Sequence, residues 1–419
     1  MEHFKYKNNS LYCENVSVAA IAREFGTPCY IYSYHAFVTQ LQNIKKAFAP
    51  VDPLVCFALK TNDNSAVIKT MVDQGAGCDI VSGGELYKAL KVNADPKKIV
   101  FASVGKTDTE IRDALKAGIL LFNVESLPEL SRINEIAGET KTRAGAALRI
   151  NPDVKAPTHD RITTGTLDKK FGLDLSTAEL VLLNRQKYSW LDISGIHMHI
   201  GSQITTVEPY VAAMKKVLAF LHKLGGENIP LKYFDLGGGF GIPYDHSPVT
   251  PIGDFAKELI PLLKETRLRI IMEPGRYITG NSGILVMETL YIKDNGVKKF
   301  IIVDAGMNDL PRPSLYDAYH EIVPVKKTSA PEDVFDVVGP ICESGDFFAK
   351  KRTMPSMKRG DLLAIKSAGA YCYAMSSNYN VRGRGAEVMV KGNDYHLIRE
   401  RETIKDLLRG EQMPDFLKS

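Results

Sequence analysis

From about residue 34, short apolar runs alternate with segments of helical spacing. The runs fall at 54–59, 78–82, 99–103, 119–124, 144–150, 192–200, 232–236 and 268–273. The helix-spaced segments between them include 64–74, 83–92, 107–117, 126–138, 176–187, 206–224 and 252–265. Apolar runs this short, bounded by polar turn residues, read as buried strands. Eight strand-then-helix units over about 240 residues predict an α/β fold, a (β/α)8 barrel of TIM type. An open doubly wound sheet has the same element order and is the alternative. Ahead of this alternation, Ser17 to Gly26 predicts a helix with an N-cap serine and a terminal glycine, and Cys29 to Tyr34 a strand.

Past about residue 276 the texture changes. GILVMETLYIK, KKFIIVDAG, FDVVGPI, DLLAIKSAG, AEVMVKG and DYHLIRE are strand-like, with few helical segments between them. The expected domains are therefore a barrel over 34–276 and an all-β, barrel-like domain made of 277–419 with 1–33. No low-complexity run or short-period repeat interrupts either part.

Barrels of this type carry their chemistry at the C-terminal ends of the strands, and here those ends are polar. Lys60 follows the first strand in FALKTN, and Asp79 lies in the second, in GCDIVSGGE. Arg149 closes the fifth in LRINP. The sixth ends in HMHIGSQ with His197, His199 and Ser202, the seventh in DLGGGFG, and the eighth in EPGR from Glu273 to Arg276. A lysine fixed at a strand end loses water, which favours the nucleophilic free amine. Glycines between a strand and a helix let backbone N–H groups close on an anionic oxygen, commonly a phosphate. Taken one at a time, a snorkelling lysine, a structural turn, a core histidine and a surface ion pair would explain these ends equally well. Together, a lysine, a glycine loop, a histidine and an acid at one mouth describe a pyridoxal phosphate site. The lysine would form the Schiff base and the acid would protonate the pyridine nitrogen.

Composition narrows the field. The chain has 419 residues, 44% hydrophobic and 24% charged, with a net charge of +4. That is an ordinary globular balance with no basic tract, so nucleic acid is not an implied partner. No apolar run is long enough to cross a bilayer, and the N-terminal stretch lacks a signal core. The six cysteines form no CxxC pair, so a reduced, cytoplasmic setting is expected.

FALKTN, HMHIGSQI, DLGGGFG, EPGR, DAGMNDLPRPSLYDAYHEI, VGPICESGDFF and GAYCYAMSSNYN together resemble the diaminopimelate decarboxylase family. That family belongs to the alanine-racemase-like, fold-type III enzymes that use pyridoxal 5'-phosphate. The resemblance runs over nearly the whole chain, and DAGMNDLPRPSLYDAYHEI is its most discriminating segment. It implies that Lys60 anchors the cofactor, that His199 stacks on the ring, and that Glu273 pairs with the ring nitrogen. Asp79, Ser202, Gly238, Gly239, Pro274, Gly275, Arg276 and Tyr371 are implied to bind the cofactor, most of them at its phosphate. Arg276, Arg312, Tyr316 and Tyr371 are implied substrate contacts, Glu343 binds the distal amino group, and Cys342 is the proton donor. It further implies a homodimer whose active sites take Cys342 and Glu343 from the partner subunit, and no metal. Phe57, Thr61 and Cys372 depart from the family pattern without removing a named catalytic group.

The implied reaction is decarboxylation of meso-2,6-diaminopimelate to L-lysine, the last step of lysine biosynthesis. The same chemistry on ornithine, arginine or carboxynorspermidine is the alternative, and a non-catalytic cofactor-binding protein of this fold is a third reading. An ornithine-type site needs an acid for the distal amine, whereas Arg312 suits a carboxylate. Lys60 and Cys342 together speak against the non-catalytic reading.

Overall fold

The computed structural model describes residues 1–154, 170–225, 227, 229–245 and 247–418. The chain divides into two compact units, Phe37–Gly280 and Met1–Ala36 with Asn281–Ser419.

In the first unit eight parallel strands close a barrel: Leu54–Ala58, Gly77–Ile80, Ile99–Ala102, Leu121–Val124, Ala144–Arg149, Leu191–His197, Tyr233–Asp235 and Arg269–Met272. Pairing of the last strand with the first, Ile271 opposite Leu54 and Met272 opposite Val55, excludes the open sheet. Strands one to five are almost entirely buried because helices cover the outside and side chains fill the inside. Leu54, Cys56, Val100, Leu121, Ala147 and Ile271 pack into one apolar cluster inside it.

Most strand-to-helix loops end on a residue that satisfies the helix's free N–H groups. Asn64, Ser82, Ser126 and Asp174 each accept from a backbone N–H in the first turn, and Thr107 with Glu110 forms a reciprocal capping box. These caps fix where each strand end stops, and so where its last side chain points.

The second unit is built on a nine-stranded mixed sheet. Its main path runs Phe347–Pro355, Glu332–Val338, Lys299–Val303, Gly283–Asp294, Cys29–Ser33, Ala386–Lys391 and Asp394–Arg399, while Ile322–Pro324 and Leu362–Ile365 branch from Gly283–Asp294. The N-terminal strand Cys29–Ser33 is wholly buried, antiparallel to Gly283–Asp294 and parallel to Ala386–Lys391. Val18, Ile21, Ile31, Ile284, Val286 and Val388 are among the residues of its core.

Two features differ from the sequence reading. The first residues fold as three short antiparallel strands, Phe4–Lys7, Ser10–Cys13 and Val16–Ser17. Ser17 sits at the N-cap of helix Val18–Phe25, but its side chain makes no capping bond. Among the described residues no helix is long and apolar enough to cross a membrane.

Candidate active site

Lys60 is carried on a single 3-10 turn, Leu59–Thr61, directly after the first barrel strand. Thr61 Oγ1 donates back to the Ala58 carbonyl at 2.8 Å and tightens that turn. The Lys60 amine donates to Asp79 Oδ2 at 2.7 Å. Asp79 is fully buried in the second strand. Burial first, then the Glu273 charge, push its carboxyl up to about 8, with Lys60 pulling the other way.

A cavity of about 340 Å³ opens beside this pair, lined by Lys60, Glu125, Arg149, His197, His199 and Glu273 among others. His199 Nδ1 accepts from the Gly238 N–H at 3.2 Å. Burial and the nearby Arg149 charge hold His199 well below its usual pKa, so its ring is neutral. Arg149 is itself buried and donates to Glu125 Oε1 at 2.7 Å, with its guanidinium over Phe171. Glu125 Oε2 accepts from the Gly172 N–H at 3.1 Å.

On one side the loops after strands six, seven and eight crowd together. A Cβ on Gly238 would come within 2.1 Å of the Glu273 carbonyl, and one on Gly239, at φ +109, within 2.3 Å of the Gly201 carbonyl. Only glycine permits that approach. Tyr210 fixes the loop from behind, its hydroxyl donating to the Gly238 carbonyl at 2.7 Å. Gln203 joins two of the loops, donating to the Ile242 carbonyl and accepting the Ile242 N–H. Arg276 is buried here, donating to Ser202 Oγ at 3.1 Å and to the Tyr244 hydroxyl at 2.7 Å.

Beneath the cavity lies a layer that apolar side chains normally fill. Alternate strands two, four, six and eight supply Asp79, Asn123, His197 and Glu273, all buried. Asn123 Nδ2 donates to Glu273 Oε1 at 2.9 Å and to Asp235 Oδ2 at 3.2 Å. His197 Nε2 lies 3.3 Å from Glu273 Oε2. Burial alone would raise the Glu273 carboxyl, but His197, Lys60 and a hydrogen bond from Asp235 hold it below its usual range. Asp235 moves the opposite way, raised by burial and by the Glu273 charge. His197, Asp235 and Glu273 bring candidate ligand atoms within 4.8 Å of one another. The Asn123 amide donating into both carboxylates describes a proton-sharing cluster rather than a cation site.

The barrel thus gathers Lys60, Asp79, His199, Ser202, Gly238, Gly239, Glu273, Pro274, Gly275 and Arg276 on the loops and strand ends around one mouth. Asn123, Asp235 and Tyr244 are additions that the sequence reading missed. The signal for the first two was present, a polar residue inside an apolar run in LFNV and in YFDL.

The remaining predicted residues lie in the second unit. Arg312 is buried and donates to His320 Nε2 at 2.8 Å. His320 Nδ1 is 2.9 Å from the Lys366 carbonyl, which can only accept, and Arg312 can only donate, so Nδ1 carries the ring proton and Nε2 accepts. Tyr316 is half-buried. Cys342 and Glu343 are exposed, and the Cys342 N–H donates to Asn380 Oδ1 at 3.1 Å. Their loop is nevertheless fixed, because Asp346 accepts the Met307 and Ile341 N–H groups, each at 2.7 Å. Tyr371 is half-buried at φ +58, and the Cys372 thiol donates to the Ala370 carbonyl at 3.3 Å, inside its own loop.

Residues 35–280 match the pyridoxal-dependent decarboxylase, pyridoxal binding domain family. The chain belongs to the pyridoxal-dependent decarboxylases. It is 47% identical to a diaminopimelate decarboxylase of Aquifex aeolicus, over 96% of this chain and 95% of that one. Among solved structures, diaminopimelate decarboxylase of M. jannaschii in complex with L-lysine superposes with a TM-score of 0.95 at 36% identity, covering 99% of both chains. The Helicobacter pylori diaminopimelate decarboxylase, complexed with L-lysine, does so with 0.90 at 40%, covering 93% of this chain and 98% of that one. The protein is an enzyme of the diaminopimelate decarboxylase type that uses pyridoxal phosphate.

The residues present fit that cofactor. An amine faces a cavity of ring-plus-chain size, and a glycine cradle with a buried guanidinium lies beside it. Buried polar atoms around the floor, His197 Nδ1, Asp79 Oδ1 and Asn123 Oδ1, have no hydrogen-bond partner among the described residues.

Proposed function

We propose that this chain removes carbon dioxide from meso-2,6-diaminopimelate to give L-lysine, the last step of lysine biosynthesis, in the cytoplasm. The observation that carries the substrate choice is Arg312. A buried guanidinium held by a neutral histidine suits a substrate with a carboxylate at its unreactive end, which diaminopimelate has and ornithine lacks.

Each residue then has a role. Lys60 would hold the cofactor through its amine, and Asp79, which accepts from that amine at 2.7 Å, would steady it whenever it is free. His199 would pack on the cofactor and, being neutral, would add no charge to it. Ser202, Gly238, Gly239, Pro274, Gly275, Arg276 and Tyr371 hold the phosphate. Glu273, held anionic, would accept a hydrogen bond from the protonated ring nitrogen. Arg276, Arg312, Tyr316 and Tyr371 seat the unreactive end of the substrate, with Glu343 on its amino group. Bound pyridoxal phosphate supplies the electron sink for the bond to the departing carboxylate. When that carbon–carbon bond breaks, Cys342 delivers its thiol proton to the carbon left behind.

Cys342 and Glu343 are exposed on a clamped loop, which suits groups that complete the cavity of a second copy. We therefore read the active form as a homodimer with shared sites. Six free cysteines, five of them buried, accord with a reducing compartment. The experiment is carbon dioxide release from a panel of diaminopimelate, ornithine, arginine and lysine. Turnover of diaminopimelate alone is expected, and equal turnover of ornithine would defeat the substrate assignment.

A further inference from the structure

The proposed chemistry uses Asp79 and Glu273 at the cavity floor, yet the barrel buries a third carboxyl beside them. Asp235 ends the seventh strand, fully enclosed, directly opposite His197 in the sheet register. Its Oδ1 accepts the Gly237 N–H at 2.9 Å and its Oδ2 accepts from Asn123 at 3.2 Å. The same Asn123 amide reaches Glu273 at 2.9 Å, so one side chain ties two carboxyl groups together. Two carboxylates sharing a dry site cannot both ionise. Glu273 has the His197 ring at 3.3 Å and an open face on the cavity, whereas Asp235 has neither.

We propose that Asp235 holds the shared proton and, with Asn123 aligning the pair, acts as the positioning residue that keeps Glu273 an oriented anion facing the cofactor ring. The proposal rests on the reading of Glu273 as the partner of the ring nitrogen. Its physical sense is plain. A carboxylic acid beneath Glu273 donates one hydrogen bond to it without adding a second negative charge, and Asn123 donates another. Glu273 then cannot rotate, and the proton it accepts belongs to the cofactor. The groups facing Asp235 and Glu273 include Asn123, His197, Asp79, Lys60, His199 and the buried Cys56 thiol, which burial and these carboxyls keep protonated. Lys60 is consumed in holding the cofactor, which leaves Glu273 the principal anion of the layer. The opposite pKa directions of Asp235 and Glu273 agree with this assignment.

The decisive variant is Asp235→Asn, which keeps the size and one donor while removing the titration. Its new amide can donate to Glu273 while its carbonyl keeps the Gly237 N–H. Infrared difference spectra of the holoenzyme at neutral pH should show a protonated-carboxyl band that Asp235→Asn removes. Nitrogen-15 NMR of cofactor labelled in the ring should show a protonated ring nitrogen in both the wild type and Asp235→Asn. In Asp235→Leu that signal should move toward the unprotonated position, with kcat falling by about tenfold or more and KM little changed. A carboxyl spectrum left unchanged by Asp235→Asn would overturn the proposal, and so would an unmoved ring signal in Asp235→Leu. Should Asp235→Leu not fold, the infrared comparison decides alone. Glu273→Gln separates the two readings. If that variant leaves the ring signal unmoved, the Glu273 assignment fails whatever Asp235 does.

Discussion

The two units treat their chemistry-bearing side chains in opposite ways. In the barrel, Asp79, Asn123, His197, Asp235 and Glu273 are buried and tied to one another, and the carboxyls of Asp79, Asp235 and Glu273 are strongly shifted. In the second unit Cys342 and Glu343 stand in solvent, and it is the backbone beneath them that is fixed, through Asp346. Burial suits groups that must hold a defined protonation state toward a cofactor, because a dry surrounding strengthens each charge and hydrogen bond. Exposure on a rigid loop suits groups that become enclosed only when a partner arrives.

The comparison breaks most sharply at Lys60. Lys60→Ala is expected to abolish the visible absorbance of the bound cofactor and to cost roughly a thousandfold or more in kcat. Circular dichroism should remain that of the wild type, since a side chain on a strand-end turn contributes little to the core. Retained colour and turnover would move the anchor to another lysine.

Cys342 tests the exposed side. Lys60→Ala and Cys342→Ala chains should each be nearly inactive alone. Unfolded and refolded together in equal amounts, half the dimers are mixed, and each mixed dimer has one site with neither defect. Activity should therefore recover to about a quarter of wild type if the site is shared across a twofold interface. No recovery at any ratio would place both groups in one chain and leave the decarboxylase assignment intact.

Arg312 sharpens the contrast, being a buried charge in the unit that exposes Cys342 and Glu343. Arg312→Ala should lower kcat/KM for diaminopimelate by about two to three orders of magnitude while cofactor affinity holds within a fewfold. Inhibition by L-lysine, which retains the distal carboxylate, should weaken far more than inhibition by cadaverine, which lacks it. Equal losses for both would mean that the arginine supports the fold rather than the substrate.

What could be read beforehand follows the same division. The barrel strands and helices were legible because burial on both faces leaves continuous apolar runs and the loops end in capping residues. Lys60, Glu273 and the glycine loop stood out as polar punctuation at the ends of those runs. Asn123 and Asp235 also interrupt apolar runs, but their meaning lies in each other, and the pairing of residues from the fourth and seventh strands has no signature in spacing. Strand Phe347–Pro355 escaped notice because Lys350, Lys351 and Arg352 interrupt its apolar pattern. It lies at the end of the sheet, where such charges deter further pairing. The N-terminal strands were too short to show alternation.

Asp309 supplies the smallest and most specific test, because it is a buried carboxyl of the second unit that is raised in pKa and has one hydrogen bond an amide can keep. It accepts the Gly306 N–H at 2.9 Å, and burial pushes it up to about 6 from an ordinary 3.8. A raised folded pKa means that the native state binds the proton more tightly than the unfolded chain. Its contribution to stability is fully present below the ordinary pKa and is lost as pH rises through about 6. Above that, the buried charge costs about 2–3 kcal/mol. Asp309→Asn can keep the hydrogen bond to Gly306 without the charge, so it should melt a few degrees higher than wild type at pH 8. Below pH 4, where the native carboxyl is already neutral, the advantage should vanish. A gain of equal size at both pH values would trace to packing instead, and a loss at pH 8 would mean that the ionised carboxylate is needed where it stands.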